Sequence, residues 1–191
     1  MSKSRIEAFS DGVLAIIITI MVLELKVPQD TSLAAIKGLT PTLLSYLLSF
    51  YYLGIYWNNH HHLFQAIDRV SGGILWANLL LLFFLSLVPF ATAWMGEHHF
   101  APWPVAFYGL ILMLAGVAYY ILERALISLH GKNSDLGKAV GSDYKGLVSV
   151  LIYALAIALA FWQPWIACAL YVLVSLLWLI PDRRIEKQLT E

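Results

Sequence analysis

Charged residues are scarce in this 191-residue chain: 12 Lys and Arg with 12 Asp and Glu make up 13% of it, where a soluble domain carries about 25%. That deficit excludes an ordinary water-facing surface. The two signs cancel to a formal net charge of zero, so no basic excess is available for nucleic acid and none is expected as a partner. Cysteine is nearly missing too. Cys168 stands alone, which rules out an internal disulfide and leaves a small packing residue within an apolar run. There is no glycine-rich phosphate loop, Walker lysine or Ser-His-Asp arrangement, so neither an enzyme nor a cofactor is expected. Low-complexity tracts and internal repeats are also lacking.

What is present is apolar: 60% of the residues are hydrophobic and 14% aromatic. The expectation is an all-α integral membrane protein, with residues 1–191 forming a single domain of six transmembrane helices near 8–26, 41–57, 73–94, 104–123, 145–162 and 165–180. The third segment carries no charge, and Pro89 should bend it. Gly109 and Gly116 in the fourth, with Ala115 and Ala118, offer small surfaces for close helix contact. The fifth and sixth are joined by a tight "WQPW" hairpin. Basic residues ahead of the first segment resemble a signal peptide, but Glu7 and Asp11 spoil the pattern, so an uncleaved first helix is expected.

Orientation follows from Lys and Arg placement. An N-terminus inside collects Lys3, Arg5, Arg69, Arg124, Lys132, Lys138, Lys145, Arg183, Arg184 and Lys187 on the cytoplasmic side and leaves only Lys26 and Lys37 outside. An even number of spans then puts both termini in the cytoplasm.

The first segment, "RIEAFSDGVLAIIITIMVLEL", is the unusual one. Twelve uncharged residues from Gly12 to Leu23 separate Asp11 from Glu24, about 18 Å of helix against a hydrocarbon core of about 30 Å. With Ile16 at zero on a helical wheel, Phe9, Gly12, Thr19, Ile20 and Leu23 fall within about 60° of it and Arg5 joins them a turn away, while Ser10 and Asp11 point elsewhere. Apolar stripes at this spacing are most often packing, and a helical Thr often bonds to its own backbone. A carboxylate in a span costs about 2.5–3.5 kcal/mol on insertion scales, so Asp11 should be buried against partners inside the protein. Trp57, Asn58, His61 and Asn78 are the candidates at compatible depth. The run "NNHHH" at 58–62 splays its histidines about 100° apart, unlike the i, i+4 pair zinc favours, and no metal is expected.

Arg5, Phe9, Ser10 and Asp11 in the pattern Arg-x-x-x-Phe-Ser-Asp, opening a first span that continues "GVLAIIITIMVLEL", resemble the signature of the endosomal/lysosomal-type potassium channels and their bacterial relatives. Animal members carry two six-span repeats; one repeat suggests the prokaryotic branch and the cell (inner) membrane. The resemblance implies a homotetramer whose four first helices surround an ion path. It places Ile16, Ile20 and Leu23 as constricting rings, Thr19 as a hydroxyl layer and Arg5, Phe9, Ser10 and Asp11 as a motif holding the first helix against its neighbours. Glu24 would sit at the wet outer mouth, where four copies concentrate cations. The permeant ion would be K+. No Thr-Val-Gly-Tyr-Gly filter is present, so selectivity over Na+ would rest on the dehydration cost of an aliphatic neck and would be modest. The alternatives are a proton-coupled secondary transporter using Asp11, Glu24 and the histidines, or a non-transporting assembly protein.

Overall fold

The computed structural model describes residues 3–131, 134, 136–137 and 144–179. It is helical: α1 (Lys3–Leu23), α2 (Leu33–Gly38), α3 (Thr40–Gln65), α4 (Gly72–Ser86), α5 (Val88–Glu97), α6 (Pro102–His130), α7 (Tyr144–Ala160) and α8 (Pro164–Leu179). With α4 and α5 taken as one broken span, six apolar helical units stand where six were expected. Three of them, Lys3–Leu23, Gly72–Glu97 and Pro102–His130, are long and apolar enough to cross a membrane by themselves. Lys132, Lys138, Arg183, Arg184 and Lys187, half of the proposed cytoplasmic charge, lie outside the described residues.

The units run up and down. At the near end, which carries the start of α1, the Lys3 ammonium donates to the Ile67 carbonyl just past α3 (3.0 Å). There, too, the Arg69 amide donates to His130 Nε2 at the end of α6 (3.3 Å). At the far end, Lys26 beyond α1 pairs with Glu97 closing α5 (2.6 Å). The turn after α5 packs Phe100 on Trp165 of α8, ring centroids 4.7 Å apart.

Several boundaries differ from the sequence expectation. α3 continues two turns past Trp57, through "NNHHH" to Gln65, and α6 continues through Glu123 and Arg124 to His130. Apolarity marks the hydrocarbon thickness, whereas the helix persists into the polar layer until a breaker intervenes. For α6 that breaker is Gly131, at φ +90°, a conformation other residues rarely adopt. α1, in turn, stops at Leu23, three residues before the expected end.

Pro89 interrupts the third helical unit. The Pro89 ring removes a donor and would collide with the carbonyl of Leu85, four residues back. α4 therefore ends at Ser86, and the Leu87 amide closes a tight i−3 bond to Phe84 O (3.2 Å). α5 then restarts with Pro89 in its first turn, where a missing N–H costs nothing.

α6 is the central mast, packed against α4, α5, α7 and α8. Its buried positions Val105, Tyr108, Leu112, Ala115, Ala118, Leu122 and Leu126 recur at three- and four-residue spacing. Two glycines let helices approach closely. A Cβ at Gly109 would run into the Tyr171 phenol of α8, and one at Gly96 would meet Thr42 Cα of α3 at 2.8 Å. Tyr171 uses that space to donate to the Val105 carbonyl (3.0 Å). Gly116, by contrast, is not squeezed: its Cβ would find only ordinary contacts at 3.8–4.0 Å.

Gly109→Ala is expected to destabilise the helix bundle by about 1–3 kcal/mol through overpacking, while Gly116→Ala stays near wild type. Thermal melting in detergent checks the pair, and equal melting temperatures for both variants would refute the assignment.

Candidate functional site: the two faces of the first helix

α1 is covered on one side only. Ile6, Ser10, Leu14, Ile17 and Met21 are buried, an arc of about 80° on the wheel. On the opposite side Phe9 is 54% exposed, Ile16 61%, Ile20 42% and Leu23 76%, with Arg5, Gly12, Thr19 and Glu24 also exposed. This is the stripe centred on Ile16 that the sequence marks out, and no part of the same protomer covers it. It borders an open groove whose far wall is Ser86, Pro89, Phe90 and Ala93, around the α4–α5 break.

The buried side is fixed near each end by polar contacts. Near the start of α1, Ser10 is fully buried and its hydroxyl accepts from Asn78 Nδ2 of α4 (2.9 Å). Asn78 Oδ1 in turn meets His60 Nε2 of α3 (2.8 Å). One amide thus spans three helices with no stranded end. The His60 ring stacks on Phe64, centroids 4.5 Å apart. Toward the far end, Met21 Sδ lies 3.9 Å from Thr92 Oγ1 of α5. Thr92 Oγ1 also joins Ser49 of α3 (2.6 Å), and Ser49 reaches the Tyr108 hydroxyl of α6 (3.0 Å).

The motif residues divide between the two faces. Ser10 turns inward. Asp11 does not: it is exposed in the protomer and accepts one hydrogen bond, from Trp57 Nε1 (3.0 Å). Trp57, one of the expected partners, thus reaches Asp11, while the carboxylate lies outside the arc that its own protomer covers. The reason is rotational. One residue turns a helix by about 100°, so when Ser10 lies mid-arc, Asp11 falls beyond its edge. Arg5 and Phe9 lie on the uncovered stripe, so within the protomer they do not brace α1 against the other helices. Of the proposed motif partners, Trp57 reaches Asp11 and Asn78 reaches Ser10. His61 instead bonds Gln65 (2.8 Å) and stacks on Trp57 (centroids 6.2 Å), and Asn58 is half-buried without joining the network. The histidine that matters, His60, was not singled out. Its signal lay in spacing: Leu53, His60, Leu63 and Phe64 share the buried stripe of α3, whereas His61 and His62 are turned off it.

Thr19 Oγ1 donates to the Ala15 carbonyl (2.8 Å). With its hydrogen so used, the outward-facing oxygen offers only lone pairs. Glu24 follows the last turn of α1, its amide bonded to Ile20 O (3.2 Å). Beside it, the hydrogen bond and charge of Glu97 hold the Lys26 ammonium above its ordinary pKa, so the strap between α1 and α5 persists across neutral pH.

A multi-helix membrane-spanning chain whose first helix is pinned inside by polar contacts and bare outside is built for membrane transport rather than for catalysis. The chain belongs to the family described as endosomal/lysosomal potassium channel TMEM175, which its residues 5–89 match. That family consists of ion channels, not enzymes. A protein from a Chryseobacterium strain named a potassium channel is 58% identical over 191 residues, all of both chains. A zebrafish protein named an endosomal/lysosomal proton channel is 31% identical over 135 residues, 68% of this chain and 25% of that one. Among solved structures, the crystal structure of a lysosomal potassium-selective channel homologue from Chamaesiphon minutus superposes with a TM-score of 0.81 at 28% identity, covering 94% of this chain and 97% of that one.

Asn78→Leu strands the Ser10 hydroxyl and His60, at about 1–3 kcal/mol for each. Ser10→Ala added to Asn78→Leu should cost less than the sum of the two singles. Unfolding in detergent measures the cycle; strict additivity would remove the proposed coupling.

Proposed function

We propose that the chain is a potassium-permeable cation channel, conducting K+ passively along an axis lined by the uncovered face of α1 in a homotetramer. The observation that carries this is the bare stripe itself. Isoleucines and a leucine facing lipid would need no explanation alone, but Glu24 at the end of the same face would be costly against lipid. At the mouth of a wet axis it is not. The similarity to proteins named potassium channels supports the ion. Following the excess of Lys and Arg, we place both termini in the cytoplasm and the near end of the bundle on that side, in the cell membrane.

In this reading Ile16, Ile20 and Leu23 form successive aliphatic rings about one turn apart. An ion crossing them gives up part of its hydration shell, and K+, being larger than Na+, holds its water less tightly and loses less free energy. Selectivity by this route is modest. The Thr19 oxygens, committed as donors to Ala15 and bare as acceptors, return part of the lost coordination between the rings. Glu24 at the outer mouth raises the local cation concentration. Ser10, Asn78 and His60 touch no ion. They hold the rotation of α1, while Trp57 steers the Asp11 carboxylate, whose remaining lone pairs face the neighbouring subunit.

A proton-coupled transporter would need ionisable groups across the midplane, and between Asp11 and Glu24 the first helix supplies none. Purified protein in liposomes should dissipate a potassium gradient faster than a sodium gradient, and its mass in detergent should equal four chains. Accumulation of potassium against its gradient would overturn the channel reading. Ile16→Ala and Leu23→Ala should raise conductance and weaken discrimination, and Thr19→Val should lower the K+/Na+ ratio while keeping the current. If all three leave currents as in the wild type, the neck lies elsewhere.

A further inference from the structure

The loop 66–71 between α3 and α4 is held from two sides at the near end of the bundle. Ile67 plugs it into the core, fully buried. From α1, the Lys3 ammonium donates to the carbonyls of Gln65 (3.4 Å) and Ile67 (3.0 Å). From α6, His130 Nε2 meets the Arg69 amide at 3.3 Å. The start of the first helix and the end of α6 thus grip one short connection.

The grip from α6 fixes the protonation of its histidine. His130 Nδ1 lies 3.0 Å from the Leu126 carbonyl, which can only accept, so Nδ1 carries a hydrogen. The Arg69 amide can only donate, so Nε2 must be bare. One form of the ring meets both contacts, the neutral Nδ1–H tautomer. A second proton would set N–H against N–H and break the bond to the loop. Yet the position of the ring invites that proton, because His130 closes α6 and the end of a long helix favours a cation in its last turn. At the same end the loop carries Asp68 and Arg69, α1 carries Lys3, α3 carries His62, and α6 carries Glu123 and Arg124, which pair with each other (3.8 Å). The acids favour a charged ring and the cations oppose it. Histidine is the side chain whose charge changes between about pH 5 and 8.

We propose that His130 is a proton-operated latch on the support of α1. With the ring neutral, the Arg69 amide is held and the loop stays clamped between α6 and Lys3. On protonation that bond is lost, the Arg69 amide turns to water, and the loop is left with the Lys3 grip and the Ile67 plug. The near end of α1 then follows a looser loop, and the aliphatic neck that α1 carries is wider on average. The clamp is complete above the histidine range and is lost as pH falls through it. Its effect on current rests on the channel reading and on the orientation that puts His130 in the cytoplasm; the latch itself rests on neither.

Amide hydrogen exchange of the full-length protein in detergent, read by mass spectrometry, tests the latch. His130→Gln keeps an acceptor near the place of Nε2 and takes no proton, so comparing it with the wild type at one pH cancels the chemical rate of exchange. At about pH 8 the two should exchange alike in peptides spanning 66–71. At about pH 6 the wild type should exchange about two- to fivefold faster, the range that a charge at a helix end commands. His130→Ala, with neither acceptor nor charge, should exchange fast at both. In inside-out patches the wild-type potassium current should rise by a similar factor when the bath is acidified over that range, and His130→Gln should keep its current unchanged. Equal exchange in the wild type and His130→Gln at the lower pH would overturn the latch. Faster exchange without a change of current would overturn its role in conduction. A wild type that carries no potassium current would sink the channel reading instead, and the exchange result would still decide the latch.

Discussion

The hydrogen bonds from one side-chain amide, Asn78 of α4, to Ser10 of α1 and His60 of α3 set how α1 is rotated in the bundle, and the proposed function follows from that rotation. In water such a network would be worth little more than its competition with solvent. Inside an apolar bundle the alternative to each bond is a stranded polar group, costing about 1–3 kcal/mol. Asn78 is the hydrogen-bond partner of Ser10 among the described residues, so rolling α1 by even one residue would lose it. Rolling would also drive Ile16 or Thr19 into the packing and bring Ile17 or Met21 out.

The remainder of the bundle makes that setting rigid. α6 packs against four other helices, with Gly109 admitting the Tyr171 phenol, and Tyr171 in turn accepts at its own carbonyl from Tyr52 of α3 (2.5 Å). α3 and α4 therefore hold their histidine and asparagine at fixed positions. The break at Leu87, imposed by Pro89, separates α5 from α4. α5 carries Thr92 beside Met21 and Glu97 beside Lys26, a hydroxyl behind the far half of α1 and a salt bridge beyond its end. The salt bridge is exposed and its own contribution is small; its use is to tie down the first residues after α1 beside Glu24.

This division of labour suits a channel without a carbonyl filter. If aliphatic rings discriminate between cations by what they strip away, the width of the neck matters more than any one coordinating atom, and width depends on how firmly each α1 is held from behind.

The sequence by itself determined the membrane class, the six apolar units, the break at Pro89 and the grouping of Ile16, Thr19, Ile20 and Leu23 on one face of α1. Each is written in composition, in helical periodicity or in the local chemistry of proline, none of which needs a distant residue. It also marked Trp57 and Asn78 as partners by depth. Only the tertiary structure decided that Asn78 serves Ser10 and not Asp11, that His60 and not His61 completes the network, and that Asp11 sits outside the covered arc. Adjacent residues on a helix differ by about 100°, and which of two neighbours is buried depends on the exact angle at which other helices approach, a quantity no single segment encodes. For the same reason α3 and α6 outran their apolar cores, because a helix ends where its backbone finds another partner, and hydropathy reports only where the lipid ends.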